Sequence, residues 1–202
     1  MKILQLNSIT NFKFQTMKTM KTMKNISFYA LLSIAMIGCS DDDTAPEVIN
    51  DEELITTVIL TLTQESGDQV VLTTVDLDGD GPDEPVTTVV GNFAENTQYQ
   101  GAVRFLNETE TPAEEITEEV IEEADEHQVF YTVSEGLNIT TTYQDFDSND
   151  NPLGVNITLE TGEASSGSLT VTLRHEPVKP NDGLDSAGGE TDIATSFDVT
   201  IE

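Results

Sequence analysis

Two histidines, His127 and His175, are the only imidazoles in this sequence, and each lies at the end of a run of alternating apolar residues. His175 continues the parity of Leu169, Val171 and Leu173, while His127 shares parity with Val129, Tyr131 and Val133. If both runs are strands of one sandwich, the two side chains sit at a rim of its core. Where those strand ends meet, two imidazoles can share one ion. Glu123, one helical turn before His127, and Glu126 would then add carboxylate oxygen. That donor set suits zinc or copper, with water filling an open position. Ligation needs neutral imidazole, so affinity is expected to fall on acidification. The plainer alternative is a pair of rim histidines hydrogen-bonded to nearby carboxylates.

A second arrangement of hard donors is "DLDGDG", residues 76–81. Asp76, Asp78 and Asp80 occupy positions 1, 3 and 5 of a calcium loop, with Gly81 at position 6. Position 12 is Thr87 where an EF-hand carries a bidentate glutamate, and strands rather than helices flank the loop. An Asp-Gly turn between strands is the alternative to a calcium site. "DFDSNDNPLG" (145–154) repeats the spacing more weakly and is expected to close a hairpin.

Catalysis has no comparable set of residues. The chain lacks a nucleophile elbow, a P-loop and a zincin helix, so no enzymatic activity is expected. Tryptophan is absent, which argues against a platform for stacking sugars.

The lone cysteine has a different role. Residues 26–37, "ISFYALLSIAMI", are apolar; five lysines precede them and no acid occurs before Asp41. A basic region, a short apolar run and a small residue before the cut make a secretory signal, here 1–38. "MIGC" resembles a bacterial lipobox, so cleavage before Cys39 and attachment of lipid to its thiol are expected. An internal start at Met23 would leave a more compact signal. Ser40, Asp41, Asp42 and Asp43 resemble the export tag that sends Bacteroidota lipoproteins to the outer leaflet. Seven of the fourteen residues from Ser40 to Glu53 are acidic, and Pro46 is among them, so 39–53 reads as a lipidated, extended tether.

Removing 38 of 202 residues leaves 164, enough for one domain, placed at 54–202. Only Arg104, Arg174 and Lys179 then face 38 acids, a formal charge of −35. Such a surface repels nucleic acid and attracts cations.

The domain that must position these groups reads in twos. Alternation over 54–63, 97–106, 154–160, 168–176 and 191–202, with shorter runs at 69–75, 86–90, 128–133 and 137–143, predicts eight or nine antiparallel strands. The fold class expected is mainly β: an antiparallel, immunoglobulin-like β-sandwich with one inserted amphipathic helix. The helix is placed at 112–125, with Thr111 as N-cap, Pro112 at N1 and Glu114 at N3 of a capping box. Ile116, Val120, Ile121 and Ala124 form its apolar stripe. Its last turn carries Glu122, Glu123, Asp125 and Glu126, against the helix dipole, which a bound cation or a protonated His127 would relieve.

Three stretches, "TVDLDGDGP", "FLNETETPAEEITEEVIEEADEHQVFY" and "LTVTLRHEP…AGGETDIATSFDVTIE", resemble small flavobacterial outer-membrane lipoproteins designated type 1 periplasmic binding fold superfamily protein. The resemblance implies an outer-membrane lipoprotein and carries over no ligand residues; the fold expectation rests on the strands. Together these readings describe a surface-exposed, lipid-anchored, non-enzymatic module binding a cation, metal complex or small solute, accessory to an outer-membrane transporter. A structural or adhesive surface domain without a small ligand is the second reading.

Overall fold

The computed structural model describes residues 53–79 and 81–202. The signal, Cys39, the acidic residues Asp41–Asp43 and Asp80 lie outside them. Ten strands and two short helices follow in order: β1 (Thr57–Gln64), β2 (Gln69–Val75), β3 (Val86–Val90), β4 (Gln98–Asn107), β5 (Glu114–Glu115), α1 (Ile116–Glu122), β6 (His127–Val133), β7 (Ile139–Tyr143), β8 (Asn156–Thr161), β9 (Ser165–His175), α2 (Leu184–Ala187) and β10 (Glu190–Ile201).

All the ladders between these strands are antiparallel and form two sheets, one ordered β3-β2-β1-β4-β8-β7 with β5 on β4, the other β10-β9-β6. With the β2–β3 hairpin and the two-residue β5 set aside, β1-β4-β8-β7 and β6-β9-β10 have the ABED and CFG orders of an immunoglobulin-like sandwich. The isolated parallel bridge Phe93↔Ile201 ties the segment before β4 to the last strand. Alternation buries one face of each sheet. Leu60, Leu62, Leu72, Tyr99, Phe105, Ile157 and Leu159 from the first sheet join Val129, Leu169, Val171, Leu173, Phe197 and Ile201 from the second in one apolar core. At about 25 cal/mol per Å² of apolar area, this burial is the main drive to fold.

The helix is shorter than its sequence pattern predicts. It starts at Ile116, its N-cap is Glu115, and no side chain caps it. The residues expected to form its first turn are drawn instead onto the sheet, where Glu114 and Glu115 pair with Asn107 and Leu106 of β4. Arg104 donates to Glu115, and the Phe105 amide donates to Thr117 Oγ1 at 2.8 Å. Burial pulls the Glu115 carboxyl up, but hydrogen bonds from Arg104 and Thr117 hold it below the usual range. The stripe also differs: Ile116, Thr117 and Val120 are buried, whereas Ile121 is exposed.

The 145–154 connection between β7 and β8 closes a hairpin and also reaches the other sheet. The Val129 amide of β6 donates to Leu153 O at 2.7 Å, and the buried Tyr131 hydroxyl donates to Gly154 O at 2.9 Å. Gly154 has φ +93°, and a Cβ there would meet Val129 O at 2.6 Å. Gly154→Ala is therefore expected to cost about 1–3 kcal/mol, from positive φ and overpacking together. The urea midpoint measures it; no shift would mean that the two chains do not approach this closely.

Candidate metal centre

β6 begins where its antiparallel neighbour β9 ends, so His127 and His175 are direct register partners. Their rings stack, with centroids 4.7 Å apart and planes at 29°. Both residues are buried. The convergence follows from strand register alone.

Two carboxylates complete the group, neither of them expected from sequence. In β10, Thr191 pairs with Arg174 and Ile193 with Leu173, so Asp192 is the extra residue of a β-bulge. The inward residues Thr195, Phe197, Val199 and Ile201 are odd-numbered, and unbroken alternation would turn Asp192 to solvent. The bulge turns it inward: its side chain is 0% exposed, with Oδ1 3.9 Å from His175 Nδ1. Glu53, read from sequence as the last residue of the tether, instead packs on the domain with its side chain 7% exposed. Its Oε1 lies 3.2 Å from His127 Nε2. Glu53, His127, His175 and Asp192 offer four ligand atoms, all within 4.8 Å of one another.

Hydrogen bonding sets the state of His127. Its Nδ1 is 3.2 Å from Glu123 O, and a carbonyl can only accept, so Nδ1 carries the proton. In the neutral ring Nε2 then holds a lone pair directed into the cluster, the usual arrangement of a metal-binding imidazole with a carbonyl behind it. Nε2 is buried and makes no hydrogen bond among the described residues, despite the nearby Glu53 carboxylate. A lone pair beside a carboxylate is repulsive; a cation or an added proton reverses the sign. Around zinc, with bonds of about 2.0–2.1 Å, tetrahedral ligand atoms stand about 3.4 Å apart. Small side-chain rotations inward from the observed spacing would close that shell.

Neither Glu123 nor Glu126, the carboxylates expected to join the histidines, belongs to that four-residue group, although Glu126 does lie beside His175. Glu123 supports His127 through its backbone carbonyl, and its carboxylate groups with Glu53 and Glu119. Glu126 groups with His175 and Glu176. Burial raises the Glu119 carboxyl, helped by the negative charges of Glu53, Glu123 and Glu114.

The helix end is not left uncompensated. Lys179, far along the chain, donates through Nζ to Ala124 O at 2.7 Å and to His127 O at 2.6 Å, and lies 3.3 Å from Asp147 Oδ2. Its side chain is 6% exposed, and burial pushes the ammonium down from the usual lysine range against the pull of Asp147. On the other side, Gly189 at φ +71° lies against the His175 backbone, where a Cβ would meet His175 O at 2.2 Å. The two histidine backbones are thus held from both flanks.

In the aspartate loops Asp78, Asp145 and Asp147 accept from nearby backbone amides, whereas Asp76 Oδ1 is buried with no hydrogen-bond partner among the described residues. Asp78 O accepts from Gly81 N at 3.0 Å and its Oδ2 from Asp83 N at 3.2 Å, which makes a turn. Asp76 and Asp78 join no potential metal group among the described residues. In 145–154, Asp147 Oδ1 accepts from Asn149 N and Asn151 N, and Asp145 accepts from Gly154 N and Asn156 N.

In comparisons with known proteins, no family model, curated protein or solved structure matches the chain.

Proposed function

We propose that the protein is a lipid-anchored outer-membrane surface module, non-enzymatic, that captures a divalent transition-metal ion, zinc or copper, at Glu53, His127, His175 and Asp192. The observation that carries this reading is His127 Nε2, a buried ring nitrogen with no hydrogen-bond partner among the described residues, inside a four-ligand group. Two carboxylates balance a divalent charge, and two nitrogens favour a borderline metal over calcium. Four protein ligands fill a tetrahedral shell, as in sites that hold an ion rather than turn over a substrate. The surrounding acidity raises the local cation concentration and favours delivery to or from an outer-membrane transporter.

Elemental analysis of protein purified without chelator tests the reading. About one zinc or copper per chain is expected, and its loss in His127→Ala; a metal-free wild type that also fails to take up added zinc leaves the structural or adhesive alternative. The anchor has its own test. Cys39→Ala should leave an uncleaved or soluble protein, because lipid chains at about 0.8 kcal/mol per buried methylene are what hold it to the membrane. Fractionation of that variant with membranes, as for mature wild type, would refute lipidation. Alanine at Asp41–Asp43 should keep the lipid and lose exposure to added protease.

A further inference from the structure

Glu53 belongs to two groups at once: the histidine cluster, and a second set with Glu119 and Glu123 on the adjoining helix. We infer that Glu53 bridges two cations, the second being a hard divalent ion held by Glu119 and Glu123 and completed by water. The inference rests on the metal reading of the first centre.

Three observations support it. First, Glu119 in the first turn of α1 and Glu123, its C-cap residue, are four residues apart, so their side chains rise from one helix face. Second, the Glu53 side chain is more than nine-tenths buried; its Oε1 faces His127 Nε2, whereas Oε2 is buried with no hydrogen-bond partner among the described residues. A buried carboxylate oxygen without a partner is costly, and a carboxylate can ligate through both oxygens. Third, the charges balance. Glu53, Asp192, Glu119 and Glu123 carry four negative charges, which two divalent ions neutralise. The three basic side chains of the domain are engaged elsewhere: Arg104 on Glu115, Arg174 on Thr191, and Lys179 on two carbonyls and Asp147.

The two positions differ in kind. The first offers two nitrogens and two oxygens and suits zinc or copper, whereas the second offers only oxygens and is more exposed, which suits manganese, magnesium or calcium. The second ion should therefore exchange readily while the first stays in place.

Manganese titrated into protein carrying one equivalent of zinc reads this directly, through loss of the free-ion electron paramagnetic resonance signal. Wild type is expected to bind one manganese, and Glu119→Gln/Glu123→Gln to lose that binding while retaining its zinc. Both substitutions are at exposed positions, and the Glu123 carbonyl that supports His127 is unchanged. Equal manganese binding in wild type and the double variant would mean diffuse attraction to an acidic surface and would overturn the inference. So would a zinc-loaded wild type that leaves manganese free, and in that case the single-ion reading stands. A protein that takes up no zinc removes both.

Discussion

Lys179→Met is expected to lower the stability of the domain by about 3 kcal/mol, the low end of the cost of breaking a buried ion pair. Methionine keeps the apolar stem and removes the ammonium. Ala124 O and His127 O then lose their shared donor, and Asp147, whose side chain is 1% exposed, loses its cation. Asp147 keeps Asn149 N and Asn151 N, which is why the low end applies. For a domain of this size the melting temperature should fall by roughly 10 °C. Lys179→Met/Asp147→Asn should recover part of the loss, since no buried carboxylate is then left unpaired. Acid titration gives an independent readout. Burial raises the Asp147 carboxyl, but hydrogen bonds from Asn151, Asn149 and Lys179 outweigh it, so the folded pKa lies below the usual value. Its stabilisation is present above the unfolded pKa of about 3.9 and is lost as pH falls through the lower folded value. In Asp147→Asn that acid limb should flatten. A Lys179→Met protein as stable as wild type would mean that the three contacts contribute nothing net.

Zinc at a hundred times its dissociation constant is expected to stabilise wild type by about 2.7 kcal/mol, because it binds the folded state alone. Glu53→Gln should abolish that gain without harming the metal-free protein. The substituted amide can donate to His127 Nε2, which has no hydrogen bond in wild type, and the lone pair then faces a donor instead of a carboxylate. The two effects have opposite signs, which a merely structural role for Glu53 would not produce. Acid should also erase the zinc gain, since protonated imidazole cannot ligate. Equal zinc shifts in wild type and Glu53→Gln would place the binding elsewhere on the acidic surface and sink the proposed centre.

The strands were legible because period two survives wherever one face is wet, and the nine expected runs correspond to nine of the ten strands. β5 was not, since two glutamates carry no period and the first of them reads as the N3 residue of a capping box. Pairing with β4 and the charge of Arg104 override that local signal. The meeting of His127 and His175 could be anticipated because each ends an inward-facing run and antiparallel neighbours bring such ends together. The carboxylates could not. Glu53 closes an acidic run that reads as solvated linker, and Asp192 has the wrong parity until a bulge adds a residue. Lys179 is 52 residues from the carbonyl of His127 that it holds, a separation across which no local pattern reaches.

All five residues of β3 are exposed, Val86 at 62% and Val90 at 64%, and the strand ends its sheet. An uncharged edge of this kind invites a second copy to pair along it. What opposes pairing is repulsion between chains that each carry a formal charge of −30. Paired strands lie about 4.8 Å apart, inside the Debye length of about 10 Å at 0.1 M salt but beyond the 3 Å reached at 1 M. Colloidal stability of ionic origin is therefore expected to fail first in concentrated salt. If the acidic surface gathers cations as proposed, they weaken the same repulsion, and metal loading would then couple to self-association without any shared contact between the two.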